Sequence, residues 1–361
     1  MNSSELNASV DVLADQAVRT ARAGDLRAGL GLARHAVSLG RVKDEPAHLY
    51  ALNALGLVQG ACGLFIEAIA SCIDAYAMAL RLQDARAALH AAVTAAGAGT
   101  FILEAGEVTE SLLKRCTEAS MRLNDTPLLV RIDNTYGIYY LNVKRFDEGI
   151  AAYNRALEQV GEPDTRAWLF TPRYMIMGNL AFLHVQRALA APPETHAAMV
   201  ASARERIALS VYTAHTFQNV DAEARAQYGQ GVLQAHLGEY SDALVSFERA
   251  LAIARRIQHQ PRLVDTLIEM GKCWREMKEY TQAIAALDDA HATADGIRPT
   301  MKLPRICDDL AATYEALGRM REGAHYRAMA ARERELLGRE NAHAMRDLTT
   351  FSDRLQIPGM E

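Results

Sequence analysis

Small and apolar residues recur along this chain at fixed offsets. A small residue is followed nine positions later by an apolar or aromatic residue, and twelve and nineteen positions later by further small residues. Six copies keep all of these positions, and a seventh, from Gly99, carries Glu118 where the last small residue is expected; the clearest copies begin at Gly231 and Gly271. Because two helices approach closely only where the side chains at their crossing are small, each copy predicts a pair of antiparallel helices joined by a short turn.

The copies follow one another at similar intervals. Their leading residues are Ala17, Gly56, Gly99, Gly137, Gly231, Gly271 and Ala311. The one long interval, from 137 to 231, predicts a further, irregular unit over about 166–211. Arg115 and Arg327 stand where a bulky apolar residue is usual, which indicates two degenerate units.

The unit that begins at Gly231 resembles the tetratricopeptide repeat (TPR), whose units are about 34 residues long. The residues that carry the resemblance are Gly231, Gly238, Tyr240, Ala243, Phe247 and Ala250. It implies an all-α, right-handed superhelical solenoid of about eight TPR-like helix-turn-helix units, in which the first helix of each unit lines a concave surface. We expect the solenoid to cover 1–330, and a C-terminal capping helix and tail to cover 331–361.

Composition and charge exclude several classes of function. The chain has a net charge of −5, which gives no electrostatic reason to bind nucleic acid. The most apolar stretch, Ala51 to Ala70, is interrupted by Asn53, Gln59 and Glu67, so no membrane span is expected. Five cysteines without a CxxC spacing are typical of a reducing compartment, and we expect a cytoplasmic protein.

Sequence signatures of catalysis are missing from the chain. We find no HExxH motif, no phosphate-binding glycine loop, no GxSxG elbow and no metal-like spacing of cysteine and histidine. The sequence therefore predicts no catalytic residues, no metal site and no cofactor. The expected function is binding.

Three asparagines are candidates for contacting a peptide. Asn53 and Asn134 each lie three positions before a leading glycine, and Asn179 falls near the corresponding place in the irregular unit. An asparagine side chain both donates and accepts hydrogen bonds, which suits pairing with the backbone of an extended peptide. The other interpretation is that these side chains satisfy the backbone of a neighbouring helix or face water.

Four basic residues and a tyrosine are placed on first helices by the same geometry. They are Arg131, Arg225, Tyr228, Lys272 and Arg275. Such residues could bind an acidic or carboxylate-bearing ligand. Alternatively, each is simply exposed to solvent on a helix surface.

The C-terminal helix offers a second surface. Two seven-residue series, Leu337, Ala344 and Phe351 with Asn341, Leu348 and Leu355, fit the core positions of a short coiled coil. They predict either a homodimer seam or a helix that caps the last repeat. Residues 331–348 also resemble the helix that leaves the TPR input region of some bacterial diguanylate cyclases, although this chain contains no GGDEF sequence.

These observations lead to three functional hypotheses. The first is a TPR module with a regulatory or scaffolding role that binds a protein or peptide in its concave groove. The alternative is a sensory, dimerising input region of a bacterial signalling enzyme such as a diguanylate cyclase, whose catalytic domain is absent from this chain. The third is a small-molecule sensor with a pocket at the irregular central unit.

Overall fold

The computed structural model describes residues 3–102, 105–161, 171–295 and 302–359. Every regular element in these ranges is an α-helix, which confirms the predicted all-α solenoid of helix pairs. The helices are α1 (Ser3–Arg22), α2 (Leu26–Lys43), α3 (Glu45–Ala61), α4 (Phe65–Arg81), α5 (Ala85–Gly99), α6 (Gly106–Arg122), α7 (Thr126–Asn142), α8 (Phe146–Gln159), α9 (Arg173–Leu189), α10 (Pro193–Thr216), α11 (Val220–His236), α12 (Tyr240–Arg256), α13 (Gln260–Glu276), α14 (Tyr280–Asp295), α15 (Lys302–Ala316) and α16 (Met320–Asp353). None of these described helices is long and apolar enough to cross a bilayer.

The chain divides into two compact units. Unit 1 consists of residues 1–180 and 341–361, and unit 2 consists of residues 181–340. The division between 340 and 341 and the predicted boundary at 330 both lie within α16, which is continuous through both positions. Residues 166–170 of the predicted irregular unit lie outside the described ranges, and its described part consists of α9 and α10.

The helix pairs touch where the sequence pattern places small residues. A Cβ atom added to Gly29 would lie 2.9 Å from the backbone oxygen of Ala17, and one added to Gly56 would lie 3.6 Å from that of Ala68. In both pairs the two residues are the leading position and the position twelve residues later. The predicted crossing is therefore confirmed in these hairpins.

A bulky residue sixteen positions after the leading glycine fills the space that the glycine leaves. A Cβ added to Gly231 would lie 2.6 Å from the ring of Phe247, and one added to Gly271 would lie 2.6 Å from Leu287. Phe247 and Leu287 are fully buried. Close packing of this kind leaves no room for even one methyl group.

The C-terminal segment packs into the core of unit 1. Leu348 occupies the space beside Gly99, where an added Cβ would lie 2.6 Å from its side chain. Arg115, which stands in the place of the usual bulky residue, donates hydrogen bonds to the backbone oxygens of Ser352 and Leu355. The tail thus supplies the apolar side chain that the degenerate repeat lacks.

The predicted seam residues therefore have partners within their own chain. Ala344, Leu348, Phe351 and Leu355 are buried among the apolar residues of unit 1, and the ring of Phe351 packs edge-on against Tyr76 at 4.8 Å. Asn341 is also buried, whereas Leu337 is half-buried. A dimer seam through these positions would require the tail to leave this core.

Candidate functional site

The first helices of unit 1 surround a cavity of about 240 Å³. Helices α1, α3, α5 and α7 form its walls, and Thr171, which precedes α9, and Met175 of α9 also contribute. Most of the lining is apolar, and it includes Phe65, whose ring stacks on that of Phe101 at 4.3 Å. Two arginines, Arg22 of α1 and Arg131 of α7, line the same cavity. We call it the arginine cavity.

Arg131 is a buried cation whose hydrogen-bond partners are neutral. Its side chain is 7% exposed. One Nη atom lies 3.0 Å from Nδ1 of His90, and the other donates to the hydroxyl of Thr94. Burial, followed by the positive charge of Arg22, lowers the pKa of Arg131 to about 10, so the guanidinium stays protonated at neutral pH.

The arginine cavity has no acidic side chain in its described lining to balance this charge. Burial of a cation without a counter-charge costs free energy, because the low dielectric of the interior favours the neutral form. A negatively charged group placed in the cavity would offset that cost. The electrostatics of the site therefore favour an anionic ligand.

Asn134 and Asn179 lie together at this site. Asn134 is 7% exposed and lines the arginine cavity one helical turn from Arg131. Its Oδ1 accepts a hydrogen bond of 3.0 Å from Nδ2 of Asn179. The structure thus brings three of the predicted binding residues to one place, with one amide partly occupied by the other.

Asn53 lies elsewhere in unit 1. It is 1% exposed, and its Nδ2 donates to the backbone oxygen of Leu49, one turn earlier in the same helix, at 3.4 Å. It lines a separate cavity of about 270 Å³ beside Tyr50 and Arg86. This hydrogen bond is to its own helix and not to a neighbouring one, and a binding role for Asn53 stays a prediction.

The basic candidates of unit 2 are paired with carboxylates. Arg225 lies 3.5 Å from Asp221, Arg275 lies 3.1 Å from Asp309, and Lys272 lies 3.4 Å from Glu269. Pairing of this kind neutralises the charge that an acidic ligand would need. Unit 2 therefore differs from the arginine cavity, although its basic residues also lie on first helices.

Tyr228 also has a structural role in unit 2. Its ring packs between those of Phe182, at 5.9 Å, and Phe247, at 6.0 Å. Burial raises the pKa of its hydroxyl well above the ordinary value, and the nearby carboxylates of Asp265 and Glu269 raise it further. The phenol is therefore neutral at every physiological pH.

Three residues of the site were missed by sequence reasoning. Arg22 is the last residue of α1, and His90 and Thr94 lie one turn apart on α5. The repeat spacing does place α5 as a first helix, which would have allowed His90 and Thr94 to be considered. Nothing in the local sequence of Arg22 indicates that it shares a cavity with Arg131, because that placement depends on how the hairpins stack.

Comparison with known proteins gives a fold. No protein-family model matches the chain, and no curated protein matches its sequence. A Rap protein complexed with Competence and Sporulation Factor is similar, with a TM-score of 0.57 and 14% identity over 96% of this chain and 98% of that chain. A signal transduction ATPase with a tetratricopeptide repeat sensor, from Pyrococcus horikoshii, has a TM-score of 0.54 and 15% identity over 98% of this chain and 50% of that chain. These similarities show a TPR-like α-solenoid, in agreement with the resemblance found in the repeat residues.

Proposed function

We propose that this chain is a protein- or peptide-binding repeat module with a regulatory or scaffolding role. Its ligand lies on the first helices of unit 1 and places an acidic group near Arg131. The observation that carries the proposal is a buried guanidinium that has neutral hydrogen-bond partners and lines a cavity whose described lining holds no acidic side chain. Charge-assisted hydrogen bonds from such a group are about twice as strong as neutral ones.

The similar solved structures support this type of function. One of them holds Competence and Sporulation Factor, and the other contains a repeat region described as a sensor. Unit 2 is a weaker candidate for the same role, because Arg225, Lys272 and Arg275 are already paired with carboxylates. We therefore assign the ligand to unit 1.

Peptide selection followed by matched variants tests the proposal. Peptides selected from a random display library against the full chain should be enriched in Asp and Glu, and their affinities can be measured by fluorescence anisotropy. Arg131→Gln should weaken binding by about tenfold or more, because a hydrogen bond to a charged group contributes about 1.5–3 kcal/mol. Asn134→Ala should weaken it to a smaller extent.

The control for this experiment is Arg275→Gln, which removes a paired arginine from a first helix of unit 2. It should leave the affinity unchanged, and circular dichroism should show that every variant keeps its helices. Equal binding by the wild type and Arg131→Gln would contradict the proposal. Loss of binding only in Arg275→Gln would move the ligand to unit 2.

A further inference from the structure

The size of the arginine cavity limits what can fill it. Its volume of about 240 Å³ corresponds to roughly eight water molecules at about 30 Å³ each. This lies just below the range of about 300–1,000 Å³ that is usual for sites of drug-sized ligands. The cavity therefore suits a compact group of on the order of ten non-hydrogen atoms.

Arg131 has donors to spare in this cavity. A guanidinium carries five N–H groups, and two hydrogen bonds, to His90 and Thr94, are the ones it makes among the described residues. One N–H on each Nη atom and the Nε–H remain, and paired N–H groups of a guanidinium match the geometry of a carboxylate. Arg22 adds a second guanidinium to the same lining.

The rest of the lining is mostly apolar, although Asn134, Thr135 and Thr171 also contribute polar side chains. Leu57, Val58, Phe65 and Ile138 offer no polar side-chain atoms, and a water molecule against such walls finds few hydrogen-bond partners. An apolar group would gain free energy by displacing that water. The cavity thus combines two cationic side chains with a mostly apolar lining.

We propose that the arginine cavity binds a small monocarboxylate with an apolar body. The carboxylate pairs with Arg131 in the positive field of Arg22, and the apolar body lies against α3 and Phe65. This inference does not depend on peptide binding, since such an acid needs no contact outside the cavity.

Isothermal titration calorimetry on the full chain tests the inference with four probes. Octanoate should bind with a stoichiometry of one and raise the melting temperature. Octanol, octylammonium and acetate should bind at least tenfold more weakly, because each lacks either the negative charge or the apolar body. Octanol binding as tightly as octanoate would overturn the inference.

A carboxylate beside an apolar group also occurs at the C-terminus of a polypeptide. A second pair of probes distinguishes a peptide C-terminus from a free small acid. N-acetylleucine represents an apolar chain terminus, and N-acetylleucinamide is the same molecule without the charge. Tighter binding of octanoate assigns the site to a free small acid. Tighter binding of N-acetylleucine, but not of its amide, assigns it to a peptide terminus, and equal binding of acid and amide contradicts the inference.

Variants locate the binding. Arg131→Gln and Arg22→Gln should each reduce octanoate affinity at least tenfold, whereas Arg27→Gln, an exposed arginine on α2, should not. Gly97→Ile provides a test that keeps both arginines. Gly97 lines the cavity, and a Cβ added there would meet its nearest neighbour at 3.7 Å, so the larger side chain should fill the cavity without a backbone clash.

These outcomes separate the two proposals. Octanoate affinity that survives both Arg131→Gln and Gly97→Ile would overturn the carboxylate site. If octanoate fails to bind while selected acidic peptides still depend on Arg131, the peptide-binding proposal stands and the small-acid site is wrong. If octanoate binds and no peptide is selected, the small-acid site stands and the peptide-binding proposal is wrong.

Discussion

At the scale of single residues, some leading glycines of the repeats are required because a side chain at their position would overlap a neighbouring residue. Gly231 lies against the ring of Phe247, and a methyl group there would overlap it. Gly229, two positions earlier on the same helix, has nothing within 4 Å of its absent side chain. Two glycines on one helix therefore have opposite roles, and only one of them is required for packing.

This contrast gives a prediction with its own control. Gly231→Ala should lower the free energy of unfolding by about 1–3 kcal/mol, because the added methyl group displaces Phe247 from its close-packed site. Gly229→Ala should instead raise it by about 0.5–1 kcal/mol, because alanine loses less conformational freedom in a helix than glycine. Urea unfolding followed by circular dichroism measures both, and a stabilised Gly231→Ala would contradict the hairpin register.

The candidate site was only partly predictable at this scale. Arg131 and Asn134 follow from the repeat spacing, because that spacing fixes which helix face a residue occupies. Arg22 does not, since its proximity to Arg131 depends on the stacking of four hairpins. Whether an arginine is paired is equally invisible in the sequence, as Arg275 beside Asp309 shows.

At the scale of helices and turns, many of the described connections share a left-handed backbone conformation. Many of the described turns between two helices contain one residue with positive φ, two positions before the next helix begins. Gly238 occupies this place with φ of 78°, and Lys278 occupies it in the next unit with φ of 64°. A residue with a side chain pays a steric cost in this conformation, and glycine does not.

Lys278→Gly should therefore raise the free energy of unfolding by about 1 kcal/mol, because it relieves the left-handed strain of the turn between α13 and α14. The same substitution at Glu248, an exposed position within α12, should lower it by about 0.5–1 kcal/mol. Thermal and urea unfolding of both variants measure the difference. Similar losses at the two positions would show that the turn is not strained by lysine.

For the C-terminal tail, the sequence predicted the apolar face but not the surface that it packs against. Arg115 in place of an apolar residue was a visible defect in the repeat pattern. What fills the resulting space is Leu348, which is far away in sequence, and the arginine instead holds two backbone oxygens of the tail. Heptad spacing identified the apolar face of the tail correctly, but spacing does not say which surface covers it.

At the scale of the whole molecule, the fold was predictable because it is repetitive. Each hairpin follows the same packing rule, so a degenerate copy such as the one that begins at Gly99 does not change the predicted fold. The pairing of basic residues with carboxylates does not repeat from one hairpin to the next. Unit 2 pairs its basic first-helix residues with carboxylates, whereas unit 1 leaves Arg131 with neutral partners.

The position of the tail predicts the oligomeric state of the whole molecule. We expect light scattering after size-exclusion chromatography to give the mass of one chain at every concentration. Leu348, Phe351 and Leu355 are buried in unit 1, and withdrawing each from that core would cost about 1.5–3 kcal/mol, which a seam would have to offset. A concentration-dependent dimer that is lost in Leu348→Ala and Phe351→Ala, but kept in Leu336→Ala, an exposed leucine of the same helix, would contradict this expectation. It would support the hypothesis of a dimerising input region instead.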